Sequence, residues 1–235
     1  MKIQQYFKVT VVVLFFYITL FQPVFAQVNT KSLDKYFAQA LNDWEVPGMA
    51  VAVVKDGEII FAKGYGVLEV NKKQKVDEHS NFAIASNTKA FISASLAHLV
   101  WEGKISWDDK VVEYLPYFAL YDAYATQHAT IRDLLSHRLG LGTYSGDVIW
   151  YKSEYTAEEV IKHIKYVPQA YELRAGYGYS NLMFITAGEV IKSVTGMPWD
   201  EFIQKHFLIQ LEMERTVMST NDLPEMDNIA SPHKT

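Results

Sequence analysis

Between Thr30 and Val46 apolar side chains recur at Leu33, Tyr36, Phe37 and Leu41. Spacings of three and four predict an amphipathic helix, and Pro47-Gly48 ends it. The period then changes. The stretch "MAVAVVKDGEIIFAKGYGV" reads as two strands joined at Asp56-Gly57, a strong hairpin signal. Asn71 to Asn81 is polar and predicts a loop. From Ala90 to Trp101 almost every residue is apolar or small, and Gly103 stands where a helix commonly stops. A helix apolar around most of its circumference is expected at the centre of a core.

Helical and irregular segments follow. "TIRDLLSHRLGLG" has Thr130 as N-cap and Gly140 as stop. "TAEEVIKHIKYV" opens on Thr156 with Glu159 three residues on, a capping box. "NLMFITAGEVIKSVTG" closes at Gly196, and "MPWDEFIQKHFLI" predicts one more helix. No repeat, linker or low-complexity tract interrupts them. The expected fold is mixed α/β (α+β): a helix and hairpin over residues 27–85, then a mainly helical region over 86–235. A lone hairpin is marginally stable, and no strand is legible after residue 104. The antiparallel sheet is therefore expected to lack its C-terminal strands within these residues.

Residues 1–26 stand apart. Lys2 and Lys8 precede an apolar run from Val9 to Phe21, and Val24-Phe25-Ala26 fits a signal-peptidase site. The run is short of the roughly 20 apolar residues of a spanning helix. It predicts a cleaved signal peptide and an exported protein, periplasmic or secreted. The remainder, residues 27–235, has no cysteine and so no disulfide staples. The formal charge is −5 with 22 basic and 27 acidic residues. Loss of Lys2 and Lys8 makes it 20 − 27 = −7. An acidic chain argues against nucleic acid or an anionic membrane surface as partner.

Candidate chemistry lies in the pattern S-x-x-K. It occurs at Ser32/Lys35, Ser86/Lys89 and Ser231/Lys234, where composition predicts roughly one match by chance. Ser32/Lys35 fits a cap and a solvated lysine on a surface helix. Ser231/Lys234 has Pro232 between and no helix after it. Ser86/Lys89 alone opens an apolar helix. Residues three apart share a face, so amine and hydroxyl can meet. Desolvation and a helix N-terminus both work against an ammonium, making this lysine a candidate base. The same N-terminus offers N–H groups to a developing oxyanion. The plainer reading is a serine cap with a snorkelling lysine. A second pattern, Tyr179-Ser180-Asn181, sits in a glycine-rich turn before a helix. A phenol beside a lysine can relay protons, and an amide can hold a substrate carbonyl. The plainer alternative is a packed tyrosine and a capping asparagine.

Taken together these segments resemble the serine β-lactamase and penicillin-binding family, nearest its class C, D-alanyl-D-alanine carboxypeptidase and esterase-like branch. "VPGMAVAVVKDGEIIFAKGYG" is similar to the family's opening hairpin and "FAIASNTKAF" to its nucleophile segment. "IRDLLSHRLGLG", "YGYSN" and "AGEVIKSVTGMPWDEFI" follow in the family's order, from about Lys31 onward. The resemblance implies a β-lactamase/transpeptidase-like fold and two-step acyl transfer on a β-lactam, D-amino-acid peptide or ester, without a cofactor. It implies Ser86 as nucleophile, Lys89 and Tyr179 as proton carriers, and Asn181 orienting Lys89 and the substrate amide. The Ser86 N–H would form half of the oxyanion hole.

The family's third motif, Lys-Thr-Gly or His-x-Gly, is not found; "HKT" at 233–235 has no glycine and no strand before it. The chain is therefore expected to stop before that motif. Arg174-Ala175-Gly176 replaces the usual Pro-Gly, Gln210-Leu211-Glu212-Met213 the usual Pro-Leu-Gly-Met, and "SHRLG" the usual Ser-Gly pair. An α/β-hydrolase would need G-x-S-x-G, and Gly178 to Leu182 misses its last glycine. The seven histidines show no metal-ligand spacing, and His137 fits a helix end. The serious alternative is a module on the same scaffold that binds peptidoglycan-like ligands, or is acylated without turnover. Tyr114, Tyr117, Tyr121, Tyr124 and Tyr144 would suit its rim, or ordinary packing equally.

Overall fold

The computed structural model describes residues 29–233. The predicted signal segment, and Lys234 of the third S-x-x-K, lie outside them. The chain divides into two compact units, Met1–Ser80 with Asn228–Thr235, and Asn81–Asp227.

In the first unit, helix α1 (Thr30–Asp43) starts at Asn29, whose side chain accepts from the Ser32 N–H at 3.1 Å. Strands β1 (Gly48–Lys55) and β2 (Glu58–Gly66) pair antiparallel, from Gly48 opposite Gly66 to Lys55 opposite Glu58. Asp56 and Gly57 take φ of 53° and 84°. A two-residue turn with positive φ at both positions matches the twist of the strands, which is why Asp-Gly is legible as a hairpin. The register slips between Val53 and Val54, so the strand bulges there. α1 lies on this hairpin through Phe37 against Phe61 and Tyr65, and through Asp34, which accepts from Lys63 (2.7 Å) and Tyr65 (2.8 Å). Gly64 is required here, because a Cβ would stand 2.3 Å from the Val76 carbonyl. The returning chain joins the unit through Ser231 N–H to Leu68 O and the Val70 N–H to His233 Nε2. These are the only two strands among the described residues, consistent with the expected sheet.

The second unit is helical. Its elements are α2 (Thr88–Trp101), α3 (Val111–Tyr114), α4 (Ala123–His128), α5 (Ile131–Leu135), α6 (Ala157–His163), α7 (Asn181–Thr195) and α8 (Trp199–Ile203). The core joins Leu96 and Leu99 of α2 to Leu182, Val190 and Ile191 of α7, with Ile131, Ile161 and Ile203 from the helices around them. Each fully buried Leu or Ile stabilises the fold by about 1.5–3 kcal/mol relative to exposure. Three expectations need correction. α2 is buried on one face only: Ile92, Ser95, Leu96 and Leu99 are covered, but Ala90, Ala97 and Trp101 are exposed. Apolar residues on every side of a helix do not by themselves say what covers each side. α5 ends at Leu135, not Gly140, because His137 takes a left-handed φ of 57° and stops the helix. α8 likewise ends at Ile203, and a wider π-turn carries the chain through Gln204–Leu208.

One half-buried ion pair fixes the loop that leads to α7. Asp133, 4% exposed, closes the capping box of α5 with Thr130. Its carboxylate also accepts from Arg174 Nε at 2.9 Å and Nη2 at 2.7 Å. Burial pushes the Asp133 carboxyl up, but the hydrogen bonds from Arg174 and Thr130 outweigh it and hold it below its ordinary value. Arg174 also donates to His128 O, and its N–H to Arg138 O. The residue standing where the family has Pro-Gly is thus a tether. Replacing Arg174 by Met leaves a buried carboxylate half-satisfied. We expect a loss of roughly 2–4 kcal/mol, read from the urea midpoint at pH 7. An unchanged midpoint would show the pair to be idle.

Candidate active site

Two short segments meet across the second unit. The first is the start of α2. Ala85 takes a left-handed φ of 45°, which costs a non-glycine residue of order 1–2 kcal/mol. A single 3-10 turn, Ala85–Asn87, follows and runs into α2 at Thr88. The Asn87 side chain donates to Ile84 O at 2.8 Å and secures the turn. Ser86 therefore stands exposed at the mouth of the helix, with half-buried Lys89 one turn along the same face.

The second segment is the loop 176–181. Gly178 N–H donates to His137 O at 3.1 Å, and a Cβ on Gly178 would stand 1.8 Å from Leu141 O, so only glycine fits. Tyr179 O accepts from Tyr144 N–H at 2.8 Å. The Ser180 N–H donates to His137 Nδ1 at 3.1 Å. That bond requires an unprotonated Nδ1, which fixes the histidine tautomer. The His137 ring also packs on Tyr179 at 4.7 Å and Phe184 at 5.3 Å. Clamped this way, the loop delivers Tyr179 to Ser86 and lets Asn181 open α7.

All four predicted residues come together. Tyr179 Oη donates to Ser86 Oγ at 2.6 Å. Lys89 Nζ donates to Ser86 Oγ at 3.1 Å and to Asn181 Oδ1 at 2.8 Å. The ammonium also lies 4.8 Å from the centre of the Tyr179 ring. Asn181 does not cap α7; its amide nitrogen donates to Asp147 Oδ2 at 3.0 Å. Asp147 in turn accepts from Trp150 Nε1 at 2.9 Å. Because the amide nitrogen is held by a carboxylate, the amide oxygen must face Lys89. Burial pushes the Tyr179 phenol up, but hydrogen bonds to Lys89 and Ser86, with the lysine charge, prevail and hold it below its ordinary value. Hydroxyl, amine and acidified phenol thus share one hydrogen-bond network.

The family model described as Beta-lactamase matches residues 33–234. The chain belongs to the beta-lactamase family. The family member described as unguisins hydrolase ungD, from Aspergillus violaceofuscus (strain CBS 115571), is 31% identical over 191 residues, 78% of this chain and 34% of the relative. The octameric penicillin-binding protein homologue from Pyrococcus abyssi superposes with a TM-score of 0.73 at 23% identity, over 86% of this chain and 47% of that one. A class C beta-lactamase gives 0.71 at 22% identity, over 87% and 56%. The chain thus spans about a third of the ungD length and about half of these solved chains.

The contacts that two residues make at this site escaped the sequence reading. Asp147 carries no local signal, being 34 residues from Asn181. His137 was expected at a helix end, but its role as acceptor for the Ser180 N–H depends on the fold. Burial, and then the Lys89 charge, lower the His137 pKa. The unfolded imidazole protonates near pH 6.5, so the unfolded chain binds the extra proton first. Stability is then complete above about pH 6.5 and falls as pH drops below it. We expect the slope of stability between about pH 6.5 and 5.5 to be shallower in His137→Asn, whose amide oxygen can still accept from Ser180. Equal slopes in urea titrations of both proteins would refute this.

Proposed function

We propose that the protein is a serine hydrolase that acts through an acyl-enzyme on a β-lactam, a D-amino-acid peptide or an ester. The observation that carries this reading is the placement of Ser86 Oγ within hydrogen-bond reach of both Tyr179 Oη and Lys89 Nζ. Ser86 attacks the carbonyl carbon. Tyr179 acts here as the phenolate, the form that its lowered pKa and the adjacent Lys89 ammonium favour; it takes the Ser86 proton, becomes the phenol, and hands that proton to the leaving group. The Ser86 N–H, at the start of a helical turn, supplies one oxyanion donor. Asn181 holds Lys89 and leaves Asp147 as a positioning residue. Water then releases the acyl group and regenerates Ser86. In the bacterial setting the sequence suggests, the chain is exported; N-terminal sequencing of the mature protein should begin at Gln27, and a start at Met1 would refute cleavage.

The test is covalent labelling with a fluorescent β-lactam, read by intact mass. We expect an adduct that Ser86→Ala abolishes. Tyr179→Phe and Lys89→Ala should each slow labelling by ~10²–10⁴ and combine less than additively. Asp147→Asn lets the Asn181 amide flip; it should cost about tenfold, and nothing further in an Asn181→Ala background. A full Asp147→Asn loss in that background would mean a purely structural role. An adduct that forms once and persists would identify the acylate-only sensor. Absence of any Ser86-dependent adduct, with this β-lactam and with a fluorophosphonate alike, would sink the proposal.

A further inference from the structure

Beside Ser86 the helical unit carries an open cavity of about 530 Å³, within the ~300–1,000 Å³ range of small-molecule sites. Its walls are Ile92 of α2, Val160 of α6, Ile185 of α7 and Trp199 of α8, with Trp150 and Tyr155 from the segment before α6. Val160 and Ile92 are buried, whereas Ser86 is exposed. The cavity therefore has buried apolar side chains at one end and meets the nucleophile at the other. No carboxylate lines it, and its one ammonium, Lys89, is engaged by Ser86 and Asn181. A charged group placed among these walls would be desolvated without a partner. The walls are also preformed. The Trp150 indole is tied to Asp147. The Trp199 indole lies against the backbone of α7 at Gly188, where a Cβ would stand 3.0 Å from its Cδ1.

The lining has a direction. Ser86, Lys89 and Asn181 belong to it, but Tyr179 does not. The phenol that exchanges a proton with the leaving group must be within reach of that group, so the leaving group lies on the Tyr179 side. The opposite half of the substrate, which stays on Ser86 in the acyl-enzyme, faces the cavity. We infer that this cavity is an acyl-group pocket that selects substrates whose acyl half carries an uncharged aromatic or medium-length alkyl side chain. This rests on the acyl-enzyme reading above, which supplies the direction. A methyl group would leave most of the cavity unfilled. Each methylene buried there should favour acylation by about fourfold.

The experiment compares two phosphonofluoridates on the purified protein, one with methyl and one with octyl on phosphorus. In each the Ser86 Oγ–P bond forms, the P–F bond breaks with loss of fluoride, and the hydroxyl proton passes to the base. We expect the octyl reagent, seven methylenes longer, to label Ser86 faster by up to about 10⁴-fold. Ala157→Phe, which fills the cavity from the start of α6, should erase that advantage and leave methyl labelling unchanged; Ala157→Leu should reduce it partway if the larger residue unfolds the helix. Equal rates with both reagents would overturn the pocket. Labelling by neither would overturn the acyl-enzyme reading. The pocket is then decided by fluorescence, since Trp150 and Trp199 line it. Saturable quenching by 8-bromooctanoate, absent with 3-bromopropionate and lost in Ala157→Phe, supports it. Unsaturable or equal quenching by the two overturns it.

Discussion

The second unit is organised around the two oxygens that accept from Lys89. A lysine set at the start of a helix faces the positive end of the helix dipole, so it stays only where acceptors are supplied from elsewhere. Ser86 provides one from the turn just before the helix and Asn181 the other from 92 residues away. The second acceptor imposes conditions in turn. The Asn181 oxygen faces inward only because Asp147 takes the amide nitrogen, and Asp147 is held by Trp150. Asn181 is in place only because α7 begins there, after a loop whose Gly178 and Ser180 N–H groups are both received by His137. A local electrostatic demand is met by a chain of partners, each spending its hydrogen-bonding capacity on the next.

This dependence explains what could be read from the sequence. The hairpin was legible because Asp56-Gly57 solves a local problem, two successive residues at positive φ. The Thr156–Glu159 box was legible because capping spans three residues. Ser86, Lys89, Tyr179 and Asn181 stood out because each pair keeps a fixed short spacing on one helix or turn. Asp147 and His137 did not, since their partners lie 34 and 43 residues away and no period links them. The end of α5 was misplaced for a related reason. A glycine is the usual sign of a left-handed stop, yet His137 takes that conformation, stabilised by contacts to a loop 40 residues on.

Arg174 shows the same logic at a departure from the family's pattern. A proline-glycine pair shapes a loop by restricting the backbone. Arg174 instead adopts a left-handed φ of 65° and pays for it with a bidentate contact to Asp133. The loop is held by a side chain, not by backbone preference. The exposed half of the guanidinium is screened by water, so the buried carboxylate determines the interaction's worth.

The site divides its physics by side. Around Ser86 Oγ, every strong contact comes from groups that move or stabilise protons, and they are gathered toward Tyr179. On the Asn181 side the surface turns apolar within one helical turn, from Lys89 to Ile92 and from Asn181 to Ile185. That change follows from helix geometry: positions three and four apart share a face, so a polar first turn is continued by whatever the second turn buries. In α2 and α7 the second turn carries core residues. The junction of a reactive polar end with a dry interior is thus built into the meeting of two helix N-termini, and whatever enters beside Ser86 meets both chemistries at once.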